Sequence, residues 1–143
     1  MRYMLVVAGN ADAPCLCHAQ WFAGSTDRLE TAAVASVDDL DQLLDALTAQ
    51  AQDPFDVSVD PGDGTSMSIV IGGPAAVVQW TRDEPWDCQV SSADDDGVVQ
   101  FAGGGQVSEV PRRLWIDVAL ARHAIRHYVA TGELTPRVRW ESF

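Results

Sequence analysis

The stretch 56–80, DVSVDPGDGTSMSIVIGGPAAVVQW, decides the fold class. Val57 and Val59 alternate with polar residues, Met67, Ile69 and Ile71 alternate with Ser66, Ser68 and Val70, and Ala76, Val78 and Trp80 resume the rhythm. A period of two sends successive side chains to opposite faces of a strand. Pro61-Gly62-Asp63-Gly64 and Gly72-Gly73-Pro74 interrupt these runs with turn chemistry, so the strands follow one another as an antiparallel meander.

Downstream, Asp94-Asp95-Asp96-Gly97 separates a strand expected over Trp86 to Ser92 from one over Val98 to Ala102, which Gly103-Gly104-Gly105 breaks. Upstream, Ser36 stands where a hydroxyl caps a helix, and Asp38, Asp39 and Asp41 follow at its positive dipole end. Leu40, Leu43, Leu44, Leu47 and Ala51 recur at spacings of three and four, which lays one apolar stripe along a helix ending before Asp53-Pro54. Glu30 to Ala35 and Met1 to Ala8 read as strands, while the Cys15 to Phe22 piece is ambiguous. After Pro111, Leu114, Val118, Ala121, Ile125 and Tyr128 share a face of a second helix closed by Gly132, with Arg122, His123, Arg126 and His127 near its negative end. Val138 and Trp140 form a closing strand. The order predicts a single α+β domain over residues 1–143: an antiparallel sheet meander with two helices packed on it and no linker.

Composition excludes several classes. With 47% hydrophobic and 21% charged residues in 143, the chain buries a core and is not a disordered segment. The apolar run Tyr3 to Ala8 falls far short of the ~20 residues of a membrane span and is short for a secretory signal. A cytoplasmic location is therefore expected, in keeping with three cysteines, too few and too odd for a disulfide scaffold. Nine arginines, no lysine and 21 carboxylates give a net charge of −12, which repels nucleic acid and anionic lipid alike and calls for a cationic partner. Residues 1–109 hold 18 acids against 3 arginines, whereas residues 110–143 hold 3 acids against 6, so one acidic face is expected.

The familiar catalytic constellations fail on inspection. Cys15, Cys17 and His18 with Cys88 lack the paired C-x₂-C spacing of a zinc site, and cysteine is commonly a small buried hydrophobe. His123 and His127 share the spacing of a zinc-hydrolase helix, but Ala124 replaces its glutamate base. No G-x-S-x-G elbow or phosphate loop is present, and no carboxylate pair stands out from so many. No catalytic residue, metal or cofactor is assigned. What rises above background is Trp80, Asp83, Glu84, Trp86, Asp87 and then Asp94, Asp95 and Asp96, aromatic anchors among carboxylates on hairpin-like elements. Tryptophan supplies contact area and clustered acids steer a cationic protein. Trp86 is the first candidate anchor, Trp80 or Trp21 the next, and Trp115 and Trp140 belong to the core.

The segment from Val110-Pro111 through Thr131-Gly132-Glu133-Leu134-Thr135-Pro136-Arg137-Val138-Arg139-Trp140-Glu141 resembles the close of the first-numbered immunity-protein family (immunity protein family one) of bacterial polymorphic toxin systems. There a helix ends in a T-G-x-x-x-P-like turn, followed by a short strand bearing tryptophan and an acid. The likeness extends more loosely over residues 30–143, and residues 1–29 carry no family motif. It implies a non-enzymatic α+β antitoxin that binds a cognate toxin, often one that attacks nucleic acid, such as a deaminase; the net charge adds that this toxin domain has a basic nucleic-acid-binding surface and that the chain itself touches neither nucleic acid nor membrane. The charge argument converges on that partner and leaves a homodimer open. Two rivals remain: an enzyme built on His123 and His127, and an acidic adaptor that joins a basic partner that is no toxin.

Overall fold

The computed structural model describes residues 15–22, 28–93, 98–103 and 106–142, with backbone alone over the 98–110 hairpin. Its elements run β1 (Cys17–Phe22), β2 (Leu29–Val34), α1 (Val37–Gln50), β3 (Phe55–Asp60), β4 (Thr65–Ile71), β5 (Val78–Arg82), β6 (Asp87–Ser92), β7 (Val98–Gly103) and β8 (Gln106–Pro111). A 3₁₀ turn at Arg112–Leu114, α2 (Val118–Thr131) and β9 (Arg139–Ser142) follow. Seven strands form one antiparallel sheet in the order β2-β1-β3-β4-β5-β6-β9, and β7 pairs with β8 as a separate hairpin whose backbone passes against β3. This is an α+β fold with two helices on an antiparallel meander.

Register follows from the alternation. Val57 pairs with Ile69 and Ile69 with Val78, while Val59 pairs with Met67 and Met67 with Trp80. These rows share one face, and slipping any strand by one residue would turn its apolar set to water. Leu40, Leu43, Leu44 and Leu47 of α1 and Ala121, Ala124, Ile125 and Tyr128 of α2 cover that face. On the other face Val70, Val77, Cys88 and Val90 pack with Leu114 and Trp115, which the 3₁₀ turn delivers. Ser91, buried between the layers, is satisfied: its Oγ accepts from the Val78 amide at 3.1 Å and donates to the Leu114 carbonyl at 2.7 Å.

Helix ends carry their chemistry in the sequence. Ser36 Oγ accepts from the Asp39 amide at 3.1 Å, and Asp39 Oδ2 accepts from the Ala35 amide at 3.2 Å, a reciprocal cap on α1. Gly132 takes φ 78° and its amide bonds to the Tyr128 carbonyl at 2.7 Å, closing α2 as expected. One expectation needs correction, and two open stretches acquire a structure. The second helix starts at Val118 behind an Asp117 cap, so Leu114 lies in the 3₁₀ turn and Val118, 38% exposed, is off the buried face. The Cys15 to Phe22 piece resolves into β1, with Cys17, Ala19 and Trp21 pointing inward. Strand β8, which the sequence reading passed over, completes the hairpin begun by β7. The strand expected over Met1 to Ala8 lies outside the described residues.

Leu44 is fully buried. Leu44→Ala is expected to lower unfolding free energy by about 3 kcal/mol, and Ser36→Ala by about 1 kcal/mol. Urea unfolding with unchanged m-values would check both; equal losses would contradict the assignment of α1 as a core helix capped at Ser36.

Candidate functional site

Because β4 and β5 are neighbours with Thr65 opposite Arg82, the turns before β4 and after β5 emerge side by side at one end of the sheet. The Asp83 amide donates to the Gly64 carbonyl at 3.0 Å and joins them. In the first turn Gly62 and Gly64 adopt φ of 89° and 85°, left-handed backbone that favours glycine. Asp60 Oδ1 accepts from the Gly62 amide at 2.7 Å, and Asp63 Oδ1 accepts from the Thr65 amide at 3.0 Å and the Thr65 hydroxyl at 2.6 Å. A carboxylate only accepts, so Thr65 spends its one proton on Asp63 and the Tyr128 hydroxyl, 2.6 Å away, must donate to Thr65. The relay ties α2 to the turn. Burial pushes the Tyr128 hydroxyl up to about 12, and the Thr65 hydroxyl bond holds the Asp63 carboxyl below its usual range.

Arg82 braces the second turn. Its Nε donates to the Pro85 carbonyl at 3.0 Å, its guanidinium carbon lies 5.6 Å from the centre of the Trp80 ring, and its NH2 stands 3.8 Å from Asp87 Oδ2. Asp87 Oδ1 also accepts from Gln89 Nε2 at 3.1 Å, which donates to Ser142 Oγ at 3.1 Å on β9. With its base held on both sides, the turn presents Trp86 at 67% exposure, and Asp83 and Glu84 earlier in the same turn are exposed too. Trp86 heads β6 from the turn, so the strand starts one residue later than the sequence placed it.

Five of the eight sequence candidates therefore meet at this end: Trp80 half-buried beneath Arg82, Asp83, Glu84 and Trp86 on the turn, and Asp87 at its base. Asp94, Asp95 and Asp96 lie outside the described residues. Strand β6 carries the chain away from the turn, and Ala93 at its far end is bonded through its amide to the Arg113 carbonyl. Trp21 is 7% exposed and Trp115 8%, both in apolar clusters, and Trp140 packs against the main core. Arg82, Asp60 and Asp63 were not singled out from sequence; pairing the two hairpins in register is the signal that brings them to Trp86.

The other clusters resolve differently. Cys17 and Cys88 are buried in the two separate apolar clusters, while Cys15 is exposed with its sulfur 3.8 Å from His18 Nε2. Among the described residues no group of three histidines, cysteines and carboxylates is placed to hold a metal ion, and no helix is long and apolar enough to cross a membrane. His123 Nε2 lies 3.1 Å from Thr135 Oγ1 and its ring is 5.9 Å from that of His127. Partial burial first, then the charges of Arg137, His127 and Arg126, lower its pKa, and the last turn of α2 holds no basic residue, so the expected dipole partnership is not made. Arg122 reaches Asp41 at 3.3 Å and Asp45 at 3.1 Å, and Arg126 reaches Asp41 at 3.1 Å, bridging α2 to α1.

These features define a small α+β domain whose exposed chemistry sits on hairpin turns at one end of its sheet. The chain belongs to the Imm1 immunity-protein family: the family model described as Immunity protein Imm1 matches residues 28–142, from just before β2 through β9. No curated protein matches the chain. The closing motif has a physical centre in Thr135, 1% exposed, whose hydroxyl meets His123 and accepts from the Arg137 amide while its carbonyl accepts from Trp140 Nε1 at 2.9 Å.

A histidine whose pKa is lowered on folding resists protonation in the native state, so its contribution is complete above pH 6.5 and is lost as pH falls through the lower folded value. The urea midpoint of the wild type is expected to drop between pH 7.5 and 5, and that of His123→Gln to drop less. Parallel curves would contradict the assignment. Asp63 and Glu141, lowered from 3.8 and 4.5, titrate below this window.

Proposed function

We propose that the chain binds and neutralises the cognate toxin of a bacterial polymorphic toxin system in the cytoplasm of the producing cell, performing no reaction of its own. The toxin in this reading attacks nucleic acid, as a deaminase does. The observation that carries it is Trp86, 67% exposed between carboxylates on a chain of net charge −12 whose family consists of immunity proteins. A protein that grips phosphates presents arginine and lysine, and an anionic face complements that site.

Protection against a few lethal molecules requires a dissociation constant near or below nanomolar, about −12 kcal/mol, across an interface of roughly 1,600 Å². Rim charges set the encounter rate, whereas a desolvated aromatic anchor slows departure. Trp86 supports the second role, with Trp80 beneath its neighbour Arg82; Asp83, Glu84, Asp87 and Asp94 to Asp96 support the first.

Co-expression with the toxin domain encoded beside this chain tests the reading. Wild type is expected to protect cells and to co-elute with the toxin; a toxin that stays active and elutes alone would overturn it. Charge reversal of Asp94 to Asp96 is expected to slow association about tenfold at low salt, with little effect on dissociation, measured by surface plasmon resonance.

A further inference from the structure

We infer that the β5–β6 turn is a guanidinium socket: the exposed face of Trp86, with the Asp83 and Glu84 carboxylates, receives an arginine side chain of the partner protein. The inference rests on the immunity reading for the partner's identity and on the following geometry for its chemistry. The carboxylates at this end of the sheet are not equivalent. Asp87 is engaged by Arg82 and Gln89, and Asp60 and Asp63 accept bonds from their own turn. Asp83 and Glu84, both exposed, have no ion-pair partner among the described residues. Elsewhere Arg28, Arg113, Arg122 and Arg126 all pair with carboxylates of the chain.

Those two carboxylates stand within the same turn as Trp86, which is far more exposed than the other tryptophans. An indole in water beside unneutralised anions is complementary to a planar, weakly hydrated cation that stacks on the ring and forks onto carboxylate oxygens. The protein makes such a contact within itself, where Arg82 lies over Trp80 and pairs with Asp87. The socket repeats it outward for a guanidinium from another chain. Lysine, a strongly hydrated point charge, fits less well.

Two measurements decide the matter. In the first, the free chain at low ionic strength is titrated with blocked tri-arginine and tri-lysine peptides while the indole N–H resonance of Trp86 is followed by NMR. Tri-arginine is expected to shift it saturably, several-fold more tightly than tri-lysine, and Asp83→Asn with Glu84→Gln to weaken the binding about tenfold. Equal response to both peptides, or shifts that leave Trp86 unmoved, would overturn the socket.

In the second, the neighbouring toxin domain is the probe. Trp86→Ala is expected to weaken binding about a hundredfold and Trp86→Tyr much less, with the melting temperature unchanged because the side chain is exposed. Wild-type affinity in Trp86→Ala and in the Asp83→Asn, Glu84→Gln pair would sink the socket and leave the immunity reading standing. A toxin that ignores the wild type would end the immunity reading, and the peptide titration would still decide the socket.

Discussion

One face of the sheet cannot stay in water. The rows running from Val57 through Ile69 to Val78 and from Val59 to Met67 present branched and long apolar side chains at every second position, and their removal from solvent is what α1 and α2 accomplish. Each fully buried leucine of α1 contributes roughly 1.5–3 kcal/mol to that covering. The arrangement of the remaining parts follows from it. Pairing fixed by alternation leaves no freedom in which turns emerge together, so the Asp60–Gly64 and Asp83–Trp86 turns are neighbours by consequence of a buried core two layers away. Tyr128 makes the link explicit, its ring in the core and its hydroxyl bonded to Thr65 beside the first turn.

The same covering accounts for the use of charge. Laying two helices side by side brings Arg122 and Arg126 against Asp41 and Asp45, so part of the cationic block late in the chain neutralises acids placed early in it. Partly exposed pairs of this kind are worth about 1 kcal/mol, but they settle which acids are neutralised. Among the described residues, the acids of the two turns beside Trp86 keep their charge, apart from Asp87.

Legibility from sequence tracked how local the physics was. The α1 stripe with its Ser36 cap, the meander of β3 to β5 and the Gly132 stop depend on spacing and turn chemistry within a few residues, and all are present. Where apolar phase ran on through a change of backbone, at Leu114 in the 3₁₀ turn, the helix was drawn too long. Strand β1 was hard to read because the alternation of CHAQWF is carried by small Cys17 and Ala19, where valine would have announced a strand, and it ends in two adjacent aromatics. At the candidate site, Trp86 stood out by type, and the family likeness was legible in the tail where Thr135 gathers His123, Arg137 and Trp140. The partnership of Arg82 with Trp80, Pro85 and Asp87 was not, because it depends on how the side chain is laid along β5, over the turn and across to β6.

The contrast among the thiols gives the molecule a native attachment point. Cys17 is buried and its pKa is pushed up to about 12 by burial, Cys15 and Asp60, and Cys88 is likewise buried and raised. Cys15 is exposed, and the start of β1 beside it pairs His18 with Asp60, at the edge of the acidic turns. Maleimide chemistry on the unaltered protein should therefore mark one position at the end of the sheet that carries Trp86, so that a dye placed there senses events at that end without any engineered cysteine.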